Sequence, residues 1–221
     1  MQLYPLFLKL AGRKVLVVGG GPVASAKVAA LRDAGAEIAV VAPEVEPALA
    51  ELAAAGSIAL ARRSFDVADL DGAWLVVAAA TADVNRGVAA AAEARRLFVL
   101  AVDDPSAASA YGAGTLRRGG VTVAVSTDGR APALAGLLRE ALEAVLPDDL
   151  EAWTATAERQ RAAWRAEGVP MTERRPQLLR ALNDLYHAGP SKGPVPPAMG
   201  SDGQSPSTPD AIAARNGKVA P

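Results

Sequence analysis

The chain has 221 residues, 51% of them apolar, and a formal net charge of −1. That is enough for one ordinary core with a smaller second module, and it lacks the basic footprint of a nucleic-acid binder. There is no cysteine and one histidine, His187, which excludes disulfides, thiolate nucleophiles, cysteine-held metals and multi-histidine metal sites.

The first ten residues lack a basic region and a small-residue cleavage site, and no apolar run approaches the roughly 20 residues of a membrane span. A cytoplasmic protein without membrane contact is expected. Residues 13–18 form a β-branched run ending at glycines, the pattern of a strand buried on both faces. A helix is predicted over residues 23–34, stopped by Gly35, and a strand over 37–41, closed by Pro43. The alternation continues with a helix over 44–55, a weaker strand over 57–62, and a buried strand over 74–78. A helix over 83–95 and a buried strand over 97–102 follow. Strands alternating with helices imply a doubly wound parallel sheet.

After Pro105 the pattern changes. Residues 115–126 read as strand, glycine turn and strand. Residues 131–146 read as a helix with Leu134, Leu137, Leu138, Leu142 and Val145 on one stripe. Helices over 150–167 and 172–187 follow, then a tail rich in Pro, Gly, Ser and Asp that is expected to be disordered. The expected domains are therefore 1–112, 113–148, 149–188 and the tail 189–221.

Val18-Gly19-Gly20-Gly21-Pro22-Val23-Ala24 fits G-x-G-x-x-A between a predicted strand and a predicted helix. Gly19 permits the tight turn, Gly21 lets the backbone approach a pyrophosphate, and Ala24 allows close helix–strand contact. The pyrophosphate would sit at the helix N-terminus, where Pro22 costs no needed N–H. This is the Rossmann fingerprint, and it marks Gly19, Gly20, Gly21, Pro22, Val23 and Ala24 as cofactor contacts. Glu44, with Pro43 before it, lies where an acid could bond the ribose hydroxyls, or it could be a helix N-terminal acid. The absence of a nearby arginine favours NAD over NADP.

Ligands of open α/β sheets bind beyond the carboxyl ends of the strands. Thr81 and Asn85 fall there after the fourth strand, with Asn85 able to contact cofactor and Asp83 read as a helix cap. Asp103 and Asp104 fall there after the fifth. An aspartate at such a place suits proton transfer, and its structural alternative is a turn or cap before Pro105. The Tyr-x-x-x-Lys of short-chain dehydrogenases is absent: the positions four after Tyr4, Tyr111 and Tyr186 are Leu8, Thr115 and Pro190. Ser126-Thr127-Asp128-Gly129-Arg130 could bind a carboxylate, or could cap the following helix.

These motifs together resemble the precorrin-2 dehydrogenase / sirohydrochlorin ferrochelatase family, the N-terminal module of siroheme synthases. The resemblance is carried by Tyr4-Pro-Leu-Phe-Leu and the glycine turn, by Lys27, Ala34-Gly-Ala36 and Val40-Val-Ala-Pro-Glu44, and by Ala79-Ala-Thr81 with Asn85. Val102-Asp-Asp-Pro105, Val125-Ser-Thr-Asp-Gly129, Pro132-Ala-Leu-Ala135 and Leu138-Arg-Glu140 complete it. It implies oxidation of precorrin-2 to sirohydrochlorin with NAD, in some members followed by Fe²⁺ insertion, and a homodimer built after the Rossmann domain. It places the family's essential aspartate on Asp103 as general base, and the serine phosphorylated in some relatives on Thr127. A substrate with eight carboxylates needs basic groups, for which Arg117, Arg118, Arg130 and Arg139 lie in suitable segments, each with solvated surface charge as its alternative.

The chain departs from the family pattern at Ala26, at Ala110-Tyr111 and at Ala113. It also lacks the methyltransferase domain of the fused enzymes, so that methylation is expected from another protein. The competing reading is an NAD-sensing regulatory module without catalysis.

Overall fold

The centre of the molecule is built by the β-branched runs. A computed structural model describes residues 3–102 and 104–187. The elements in order are β1 (Lys14–Val18), α1 (Pro22–Asp33), β2 (Glu37–Val41), α2 (Pro47–Ala54), β3 (Ala59–Ala61), a 3-10 turn (Val67–Leu70), β4 (Leu75–Ala78), α3 (Ala82–Glu93) and β5 (Phe98–Ala101). Then come β6 (Gly114–Arg118), β7 (Val121–Val125), α4 (Pro132–Val145), α5 (Leu150–Glu167) and α6 (Met171–His187).

β1 to β5 form one parallel sheet in the order β3-β2-β1-β4-β5, the Rossmann-like arrangement, and β6 pairs β7 as an antiparallel hairpin. The expected fold class is the one observed. Alternation along each strand sends side chains to opposite faces. Val15, Val17, Leu75 and Val77 join α1 and α2 through Ala24, Val28, Leu31 and Leu49. Leu16, Val18, Val76 and Ala78 join α3 through Val88 and Ala92.

Several boundaries differ from the sequence expectation. α2 begins at Pro47, with Glu46 at its N-cap, so Glu44 stands before the helix and is not its first-turn acid. Proline supplies the pre-set φ of a first helical turn. α3 begins at Ala82 with Thr81 at the N-cap. Asp83 therefore lies in the first turn, paired with Arg86, rather than capping.

Before β4 the chain is braced at the end of the sheet opposite the glycine turn. Arg63 makes a two-pronged bond to Asp69, at 2.6 and 2.8 Å. Asp69 also accepts from the Asp66 amide in a reciprocal cap of the 3-10 turn. The Arg63 bond holds the Asp69 carboxyl below its ordinary range, against the opposing push of partial burial. Arg13 lies 4.1 Å over the exposed Trp74 ring.

The β5 edge of the sheet is covered at Val99. Val99 of β5 accepts at its carbonyl from the amides of Ser109 and Ala110, at 3.0 and 2.9 Å. Its own amide donates to the Ser109 hydroxyl at 2.9 Å.

The chain divides into two compact units, one running to Glu151 and one from Ala152. The hairpin and α4 fall in the same compact unit as the sheet. α4 packs on the hairpin through Ala135 and Leu116, both buried. Its leucine stripe faces away from that contact, with Leu137 63% and Val145 74% exposed. In the second unit, Trp153 donates to the Tyr186 hydroxyl at 2.7 Å, and Trp164 donates to Gln177. The expected tail lies outside the described residues. Among the described residues, no helix is long and apolar enough to cross a membrane.

Candidate functional site

The three glycines of the turn after β1 have three different surroundings. Gly19 has φ +128°, and a Cβ there would collide with the Ala79 carbonyl at the end of β4. A Cβ on Gly20 would collide with the carbonyl of Glu44. Gly20 also accepts from the Glu46 amide at 2.8 Å, so the loop after β2 docks on the turn backbone. A Cβ on Gly21 would meet nothing within 4 Å. Two glycines are therefore required by the protein's own packing, while the third borders open space.

Gly21 is the N-cap of α1, and no side chain caps that helix. Its first-turn amides and the positive end of its dipole are left to an anion. Ala24 is fully buried against the sheet, while Pro22 and Val23 are exposed at the mouth of the turn. These residues suit a pyrophosphate: an uncapped helix start, an open approach at Gly21, and two neighbouring loops held back by backbone contacts.

Pro43 and Glu44 flank the turn and are exposed. Of the acids in this loop, Glu46 is the one engaged with α1, its carboxylate accepting from the Ser25 hydroxyl at 3.1 Å. Sequence spacing alone did not single out Glu46.

On the β4 side, Thr81 is exposed and its hydroxyl is not spent on capping α3. Asn85 is 2% exposed. Its side-chain oxygen accepts from the Ala80 amide at 2.9 Å, and its nitrogen donates to the Ala80 and Val102 carbonyls at 3.3 and 3.5 Å. Asn85 thus ties the end of β4 to the end of β5, and a direct cofactor contact would have to displace one of these bonds.

Asp103 lies outside the described residues, but the chain on both sides of it is anchored. Val102 donates to the Ala78 carbonyl at 2.9 Å, continuing the β4–β5 ladder. Asp104 accepts from the amides of Ser106 and Ala107 and from the Ser106 hydroxyl. The Ser106 hydroxyl bond holds the Asp104 carboxyl below its ordinary range. Asp104 is therefore the turn-forming member of the aspartate pair. Tyr111 donates to the Pro105 carbonyl at 2.9 Å. Its ring stands 3.2 Å from where a Cβ on Gly129 would be.

The 126–130 loop is a tight turn with Asp128 at φ 54° and Gly129 at φ 74°. Thr127 accepts from the Ala131 amide at 3.1 Å, which is a capping use of its hydroxyl. Arg130 is exposed, 3.5 Å from Asp128. Arg118 donates to the Leu146 carbonyl at 2.8 Å and approaches Asp148, so it ties the hairpin to the end of α4. Arg139 pairs with Glu143 and Glu140. Arg117 and Arg130 are the more exposed cations of the four. Among the described residues no cluster of three or more His, Asp or Glu could hold a metal ion.

Comparison with known proteins agrees with this architecture. A family model described as NAD(P)-binding matches residues 6–113, and one described as the sirohaem biosynthesis protein central domain matches residues 118–144. The chain is 46% identical to siroheme synthase 3 of Aeromonas hydrophila over 176 residues, which is 79% of this chain and 38% of that protein. It is 42% identical over 176 residues to the siroheme synthase of Escherichia coli O139:H28, with the same coverage of 79% and 38%. It therefore spans about two fifths of the length of these curated relatives. Among solved structures it is similar to SirC, a precorrin-2 dehydrogenase, with a TM-score of 0.65 and 26% identity over 85% of this chain and 93% of that one. The chain belongs to the family of the siroheme synthase N-terminal module, an NAD(P)-binding domain followed by the family's central domain.

Proposed function

We propose that this protein oxidises precorrin-2 to sirohydrochlorin with NAD⁺. The observation that carries the reading is the open Gly21 turn, uncapped at α1 and flanked by the chain leaving β2 and the chain leaving β4. The relationship to a precorrin-2 dehydrogenase supplies the substrate class. NAD⁺ held there would act as the hydride acceptor.

The chain's own part is positioning and proton transfer. The α1 amides and Gly21 receive the pyrophosphate, Pro22 and Val23 line its approach, and Pro43 and Glu44 lie on the ribose side. Asp103 is assigned the proton released as the macrocycle loses a hydride, giving sirohydrochlorin, NADH and H⁺ in balance. Its neighbour Asp104 is committed to the turn, which leaves one carboxylate of the pair for chemistry. Thr127, Arg117 and Arg130 are assigned to the substrate side. Fe²⁺ insertion into the product is a further activity of the same site in this reading, with the metal as substrate. A homodimer through α4 covers the exposed leucine stripe.

Incubating the protein with precorrin-2 and NAD⁺ tests the proposal. NADH and sirohydrochlorin should appear together, and Asp103→Ala should keep NAD⁺ binding while losing turnover. NAD⁺ binding without product formation by the unaltered protein would favour an NAD-sensing module instead. Supplying sirohydrochlorin with Fe²⁺ tests chelation separately.

A further inference from the structure

Lys27 lies in the second turn of α1 and is half-buried, yet nothing in the described chain pairs with its ammonium. The Nζ atom stands 3.2 Å from the position a Cβ on Gly112 would occupy, and Leu100 of β5 lies 3.8 Å from that same position. Leu100 packs on the face of the sheet that carries α1. The lysine therefore reaches from α1 toward β5 and the chain leaving the sheet, rather than back to the glycine turn. Gly112 leaves room for the ammonium because it has no side chain.

The next residue in the chain is part of the same convergence. Tyr111 touches the Gly129 position and holds the Pro105 carbonyl, so α1, residues 104–112 and residues 126–130 meet around this point. An ammonium held at this convergence with no described residue paired to it is placed to receive an anion. The pyrophosphate is already provided for by the α1 amides. What remains in need of cations is a macrocycle carrying many carboxylates.

We propose that Lys27 binds a peripheral carboxylate of the tetrapyrrole from the α1 side of the cleft. This rests on the dehydrogenase reading above for the identity of the ligand. The alternative use of a lysine here is packing of its aliphatic stem. Lys27→Met keeps most of that stem and removes the charge, while Lys27→Arg keeps a cation.

The test uses the full chain in two measurements: steady-state oxidation of precorrin-2 with NAD⁺, and equilibrium titration with sirohydrochlorin followed by absorbance. In Lys27→Met, KM for precorrin-2 and Kd for sirohydrochlorin should rise about tenfold, as expected for one charge-assisted bond, with KM for NAD⁺ unchanged. Lys27→Arg should recover most of the loss. Added salt should weaken sirohydrochlorin binding more in the unaltered protein than in Lys27→Met.

Unchanged tetrapyrrole constants, or a rise confined to NAD⁺, would overturn the assignment while leaving the dehydrogenase intact. A protein that binds sirohydrochlorin but does not turn over precorrin-2 would lose the activity and still test Lys27 by titration. A protein that neither binds nor oxidises tetrapyrrole would overturn both. Should Lys27→Met fail to fold, Lys27→Gln serves in its place with the same expected losses.

Discussion

The hydroxyl of Tyr111 reaches the carbonyl of Pro105 across 2.9 Å, clasping the segment that begins one residue after Asp103. The ring of the same tyrosine lies against the Gly129 position of the 126–130 loop. One side chain thus joins the aspartate segment to the loop that carries Thr127 and Arg130. Tyr111→Phe keeps the ring and removes the bond. Loss of one neutral hydrogen bond costs about 1 kcal/mol and lowers Tm by about 2–4 °C. Turnover should fall by roughly tenfold or less as the aspartate segment loosens, with KM for NAD⁺ unchanged. Steady-state kinetics beside a thermal melt checks this, and an unchanged kcat would show that the clasp has no bearing on the chemistry.

The three turn glycines should separate in their effects. Gly21→Ala adds a methyl into open space, so the melt should hold within a few degrees while NAD⁺ affinity drops at least tenfold. Gly20→Ala and Gly19→Ala meet carbonyls of neighbouring loops, and Gly19 adds backbone strain of about 1–3 kcal/mol. Both should lower Tm clearly. Calorimetric NAD⁺ titration with matched melts distinguishes the two classes. Equal destabilisation by all three would contradict the open approach at Gly21.

The glycine turn also marks how far the sequence could be read. The strands were legible because β-branched runs buried on both faces leave an unbroken apolar pattern, and the order of elements followed. Element ends were less legible. Pro47 starts α2 three residues later than the apolar pattern suggested, because the pattern does not record which residue takes the N-cap. The glycine turn was legible where close backbone approach demands a residue type, as at Gly19, Gly21 and Ala24. It was not legible where tertiary contact decides. Nothing in the spacing of Asn85 shows that its amide would be used between two strand ends. The solvent exposure of Arg130 and the structural use of Arg118 likewise depend on partners from distant segments.

Acid should weaken the brace at the far end of the sheet. The Asp69 carboxyl is held low in the folded chain by Arg63, and its unfolded value is about 3.9. A depressed folded value contributes stability that is present above the unfolded pKa and is lost as pH falls through the folded one. Melting temperature should therefore drop as pH falls below about 4, with part of the slope due to this group. Asp69→Asn should be less stable by about 1 kcal/mol at neutral pH and should show a shallower acid slope. Parallel slopes in the two proteins would remove Asp69 from the explanation.

The leucine stripe of α4 predicts self-association. Leu137 is largely exposed in the single chain, so Leu137→Glu should cost little intrinsic stability. It should convert a dimer into a monomer at micromolar concentration, read by sedimentation equilibrium. An unaltered protein that is already monomeric there would dismiss α4 as the interface.

The bonds from Ser109 and Ala110 to Val99 cover one border of the sheet, that of β5. A bare strand edge is a template on which any extended polypeptide can continue the ladder. Here the cover is supplied from further along the chain, so it does not exist until synthesis has passed residue 110. The segment that follows the proposed catalytic aspartate thus also covers the β5 edge, so a change that loosens the one would bare the other.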